Sequence, residues 1–184
     1  QRDMLTDMFH SQIPNVEKSE FLVSFEAPSA DANPILITQN EYMRRMKDMA
    51  AMQPGMSFYG ELPDSYNLII NTESPVVKRI IADADTVLMP KLQPKFESID
   101  DNNSKSQAIR DAAKDGKPSE EEQNQIKSND EAVAHLRSEV KKDAEEYASS
   151  QPLVKQVIDL ALLANNLLRG ADLNAFIRRS VSLL

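Results

Sequence analysis

The chain has no cysteine and no tryptophan, only four glycines, and fewer bases than acids. Each shortage excludes something. Without thiols there is no disulfide, no thiolate metal site and no cysteine nucleophile, which fits a reducing cytoplasm. None of the glycines has the spacing of a phosphate loop, so a nucleotide site is not expected here. With 21 Lys and Arg against 29 Asp and Glu, the net charge is -8 and the pI about 4.8. That balance is unsuited to a nucleic-acid surface. No signal peptide is read, and no apolar run approaches the roughly 18 residues of a membrane span. The histidines, His10 and His135, lie far apart among polar neighbours and read as solvated. Glu120–Glu122 and Asp100-Asp101 lack the alternating ligands and glycine of a calcium loop. No catalytic residue, metal site or cofactor site is therefore expected in these 184 residues. Because the chain opens on Gln1, it reads as a piece of a longer protein.

What is present is an alternation of helical and extended patterns. Met4, Leu5, Met8 and Phe9 fall on one helical face within Arg2–Gln12, which Pro14 ends. Phe21, Val23 and Phe25 repeat at period two, as in a half-buried strand. Ile35–Ile37 and Tyr66–Asn71 predict two further strands. Between these two, Asn40 is placed to cap a helix Glu41–Gln53 that Pro54-Gly55 stops. Ser74 and Pro75 open another helix. The composition shifts near Pro90. Pro94–Gly116 is rich in Asp, Asn, Ser and Lys, and a flexible excursion with at best short helices is expected there. A helix is expected from Ser119 to about Ala148, with Ile126, Val133, Val140 and Tyr147 recurring at seven as a narrow apolar stripe. The fold class is α+β: a small mixed sheet with helices, ending in a helical hairpin. The organisation is a body over 1–93, an acidic, partly flexible insertion over 94–148 and the hairpin over 149–184, forming one domain.

That hairpin carries the clearest functional signal. Two helices, Gln151–Arg169 and Ala171–Leu184, are read as joined at Gly170. The first is apolar nearly all round, from Leu153 to Leu168, with a narrow polar sector of Lys155, Asp159 and Asn166; such a helix is buried on at least two sides. The second opposes an apolar stripe to Arg178 and Arg179. The hairpin either packs wholly into its own domain or joins a second copy in a four-helix bundle. The bundle would bury Leu160, Leu163, Leu167, Leu173, Phe176, Ile177, Val181 and Leu184.

A second signal is methionine. Tyr42, Met43, Met46, Met49 and Met52 cover about half the circumference of their helix. Single methionines commonly fill cores. A soft methionine face also suits a surface that accepts varied partners.

The stretch Pro63–Val76 contains Ile69-Ile70-Asn71-Thr72-Glu73-Ser74-Pro75-Val76. It resembles the strand-to-helix segment of the C-terminal domain of the heat-shock protein 90 family, whose pattern is apolar-x-Asn-x-x-x-Pro-apolar. Asp159–Leu163, Leu168–Gly170, Phe176–Arg179 and Leu183-Leu184 are similar to that family's dimerisation hairpin. Met43–Lys47 falls where the family has an amphipathic, methionine-bearing helix. The resemblance covers roughly 1–93 and 150–184 and is nearest to the bacterial form. It departs over about 55 residues, Gln93–Ala148, longer than the usual connection. It also lacks the acidic pentapeptide that recruits helical-repeat co-chaperones in cytosolic eukaryotic members. The resemblance implies a cytoplasmic homodimeric chaperone acting on non-native client proteins, with no nucleic-acid or membrane partner. ATP and Mg would belong to an N-terminal domain outside this stretch, leaving the fragment itself without enzymatic activity. Tyr42, Met43, Met46, Met49 and Met52 would be the client-contact face. The alternative is a plain oligomerisation or scaffold domain with no client surface.

Overall fold

A computed structural model describes residues 1–39, 41–52, 62–113 and 118–182. Asn40, Pro54, Gly55, Gly116, Leu183 and Leu184, each given a role above, lie outside those residues. The elements in order are α1 (Arg2–His10), β1 (Ser19–Glu26), β2 (Ile35–Gln39), α2 (Glu41–Met52), β3 (Asp64–Asn71), α3 (Pro75–Ala112), α4 (Glu120–Ser150), α5 (Pro152–Ala164) and α6 (Gly170–Ser182). The α+β class is as expected. The chain divides into two compact units, Gln1–Ala82 with Ala148–Leu184, and Asp83–Tyr147.

The first unit is built on a sheet of order β1-β3-β2, parallel between β1 and β3 and antiparallel between β2 and β3. The period-two pattern sets the register. Phe21 pairs with Tyr66, and their rings stack at 5.4 Å. Val23, Leu68, Ile70 and Ile35 are buried. The apolar face of α1 buries Met4, Leu5, Met8 and Phe9, and Phe9 meets Phe25 edge-on at 6.1 Å. At the end of β3, Asn71 is fully buried and saturated. Its Nδ2 donates to the carbonyls of Ser29 (2.7 Å), Asn33 (3.2 Å) and Ala32 (3.3 Å), and its Oδ1 accepts from the Glu73 amide at 3.0 Å. The asparagine of the sequence motif thus staples the Pro/Ser/Ala/Asp/Asn loop to the start of α3.

The second unit corrects the sequence expectation. Pro94–Ala112 is not a loop with short helices: α3 continues through Pro90 and Pro94 to Ala112. An internal proline loses a hydrogen bond and crowds the preceding turn, at about 3 kcal/mol, which is why the pattern breaks there in the sequence. Both prolines are exposed, whereas Leu88, Leu92, Ile99 and Ser106 form a buried stripe on α3. On α4 the sevenfold stripe has Val133, Val140 and Tyr147 buried. Ion pairs tie the two helices antiparallel: Lys91 to Asp143 at 2.6 Å, Lys95 to Asp143 at 2.9 Å and to Glu139 at 3.4 Å, and Arg110 to Asp130 at 3.1 Å. Burial opposes the charged form of Asp143, but the hydrogen bonds from Lys91 and Lys95 outweigh it and hold the carboxyl below its usual range. The Asp143 hydrogen bond correspondingly raises Lys95. Helix α4 starts as expected, with a reciprocal cap: Ser119 N–H donates to Glu122 at 2.7 Å and Glu122 N–H to Ser119 Oγ at 3.3 Å.

Candidate functional site

The hairpin is shorter and more sharply turned than the sequence suggests. Helix α5 stops at Ala164, not Arg169, and the reversal is made by asparagine rather than at Gly170. Asn166 adopts φ +58°. The Asn166 amide donates to Leu163 O (3.0 Å) and the Leu167 amide to Leu162 O (2.8 Å), the Schellman pattern with asparagine in the left-handed position. Asn165 Nδ2 adds a bond to Ala161 O at 2.8 Å. Gly170, at φ +57°, opens α6. Leu167 and Leu168 therefore lie in the link, with Leu168 buried and Leu167 half-buried.

The apolar surface divides unevenly. On α5, Val154, Val157, Ile158, Ala161 and Leu162 are buried within the first unit, so much of that helix's apolar excess is satisfied by its own body. Leu160 is 50% exposed and Leu163 half-buried. Helix α6 has no buried residue at all. Its Leu173 and Phe176 are half-buried, while Ile177 is 50% and Val181 67% exposed. Leu184 lies outside the described residues.

Asp159, read in the narrow polar sector of its helix, is buried. It is 1% exposed, holding Lys155 at 2.6 Å and Arg179 of α6. Arg179 also donates through Nε to Gln156 Oε1 at 2.8 Å, and Gln156 Nε2 donates to Ser180 Oγ at 2.6 Å. Arg179, expected opposite the apolar stripe, instead faces α5. The i,i+4 spacing of Lys155 and Asp159 was the one sequence signal available; the partner on the other helix had none.

The methionine helix is anchored by its polar side. Lys47 reaches Asp64 at the start of β3 at 2.7 Å. Glu41 pairs with Arg44 at 3.0 Å and Arg45 at 2.9 Å; the hydrogen bond from Arg44, then that from Arg45, lowers its pKa. Ala50 is buried, Met43 and Met46 are half-buried, and Tyr42, Met49 and Met52 are exposed, Met52 at 85%. The five expected contact residues are thus split between body and solvent. Among the described residues no group of three or more His, Asp or Glu could hold a metal, and no helix is long and apolar enough to cross a membrane.

Comparison with known proteins finds similar chaperones. The chaperone protein HtpG of Porphyromonas gingivalis strain W83 is 42% identical over 188 residues, that of Bacteroides thetaiotaomicron 36% over 186, and that of Bacteroides fragilis strain 638R 37% over 187. The chain is homologous to HtpG chaperones. Each match covers the whole chain, which spans about 27% of the length of each HtpG relative. That extent fits a C-terminal domain of HtpG. No family model and no solved structure matches the chain.

Proposed function

We propose that the chain is the C-terminal part of an HtpG-type chaperone, pairing two copies through the α5–α6 hairpin and offering the outer face of α2 to non-native proteins. One observation carries the pairing: a thirteen-residue helix with an apolar stripe has no buried residue in the single chain. Leu160 of α5 is also 50% exposed, and two such hairpins can form a four-helix bundle. Pairing would raise the effective concentration of the ATP- and Mg-binding N-terminal domains that this stretch does not include. The exposed Tyr42, Met49 and Met52 support client contact, since flexible apolar side chains repack against varied partners. The chain itself would contribute assembly and contact rather than catalysis, in the cytoplasm. The half-burial of Met43 and Met46 favours, for those two, the competing view of a scaffold helix.

The test is the mass in solution over a dilution series, together with suppression of aggregation of an unfolded model protein. A dimer at tens of micromolar, about the range of routine work, with suppression lost in a Met49→Ser, Met52→Ser variant, is expected. A monomer throughout rejects the pairing; undiminished suppression rejects the contact face.

A further inference from the structure

Helix α6 is held only in part by apolar burial, since Leu173 and Phe176 are half-buried and none of its residues is fully buried. Its side-chain hydrogen bonds to α5 sit in two adjacent residues. Arg179 spans the gap with two prongs, to buried Asp159 and to Gln156, and Ser180 accepts from the same Gln156. Ser180 Oγ donates in turn to Phe176 O at 2.9 Å, so the network ends on the backbone beside Ile177. A planar guanidinium fixes direction as well as distance. Asp159, almost wholly removed from water, strongly favours the arrangement in which its cations stay close.

We propose that Arg179 is a positioning residue: clamped on Asp159 and Gln156, it sets the direction in which α6 presents Ile177 and Val181 to a second copy of this chain. This rests on the pairing proposed above. Arg179 does not itself form the apolar contact. It raises the fraction of chains whose α6 is oriented to make it. When two copies must both be oriented, the apparent dissociation constant scales with the inverse square of that fraction. A fall in the oriented fraction to about a tenth therefore weakens association about a hundredfold.

The experiment compares wild type, Arg179→Gln, Arg179→Lys, Gln156→Ala and Ile177→Ser by sedimentation, alone and with Ile177→Ser combined with Arg179→Gln. Amide exchange over Gly170–Ser182 is followed below the dissociation constant. Expected are a dimeric wild type, a roughly hundredfold loss for Arg179→Gln, and intermediate losses for Arg179→Lys and Gln156→Ala. Exchange in α6 should be faster while the melting of the body is held. The combined variant should show the product of the two separate losses, because Arg179 sets the oriented fraction and Ile177 the affinity of the oriented form. Should Arg179→Gln fail to fold, Gln156→Ala, which leaves the Asp159 pair intact, carries the comparison. A dimeric wild type whose Arg179 and Gln156 variants associate equally well overturns the positioning role alone, as does a loss for Arg179→Gln with exchange in α6 unchanged. A monomeric wild type overturns pairing and positioning together.

Discussion

Replacing Ile177 by aspartate separates assembly from folding. Ile177 is 50% exposed on a helix with no buried residue. Fully burying an isoleucine is worth about 1.5–3 kcal/mol, so the half still open to solvent stands for roughly 1 kcal/mol. In a twofold interface the same position occurs twice, giving roughly 2 kcal/mol. An aspartate also places an unpaired carboxylate at each site, taking the loss toward about 4 kcal/mol. At about 1.4 kcal/mol per decade, the dissociation constant rises roughly thirty- to a thousandfold. Folding of the single chain should change by less than about 1 kcal/mol, as for other solvent-facing substitutions. Sedimentation velocity over a dilution series reads the first quantity, and thermal melting below the dissociation constant reads the second. An Ile177→Asp variant that associates like wild type, or that unfolds the protomer by several kcal/mol, would show that α6 is covered by its own chain.

Three further outcomes are expected. Met49→Ser with Met52→Ser should leave dimer mass and melting nearly unchanged while weakening binding to a fluorescent unfolded client; unfolding instead would place these methionines in a core. Asn166→Gly should hold or raise the melting temperature, whereas Asn166→Val should cost about 1–2 kcal/mol by denaturant titration, because φ +58° suits glycine and asparagine but not a β-branched side chain. The native pKa of Asp143 lies below its unfolded value, so its contribution to the α3–α4 pair is present above about pH 4 and is lost as the pH falls through the lowered value; Asp143→Asn should lower helical stability by about 1–3 kcal/mol at pH 7, with the difference from wild type shrinking as the pH falls in far-ultraviolet dichroism melts.

The parts of this fold legible in sequence are those in which a local period meets a core. Phe21, Val23 and Phe25 announce β1, and Met4 to Phe9 announce α1, because each element buries one face on the same sheet. The run through Pro90 and Pro94 was not legible: local rules stop a helix there, and the buried stripe from Leu88 to Ser106 that continues it depends on tertiary structure. At the hairpin, apolar surplus was visible but not its distribution. Hydrophobicity alone does not say that Val157 and Ile158 are buried while Ile177 is half-exposed. Nor does it reveal that Asp159 and Arg179, twenty residues apart, meet in the interior. The glycine drew attention as the joint, and Asn166 makes the reversal because asparagine tolerates the left-handed conformation almost as readily.

Asn71 makes the Ser29–Asn33 loop depend on a single side-chain amide. Its amide nitrogen faces three carbonyl oxygens, of Ser29, Ala32 and Asn33. Hydrolysis of that one side-chain amide would exchange the nitrogen for an oxygen and leave a carboxylate with no donor to offer. Three attractions would become repulsions at a fully buried position, a reversal of several kcal/mol by about 1–3 kcal/mol for each unmet polar group. A mass change of a single dalton at Asn71 would then detach the Ser29–Asn33 loop from the end of β3.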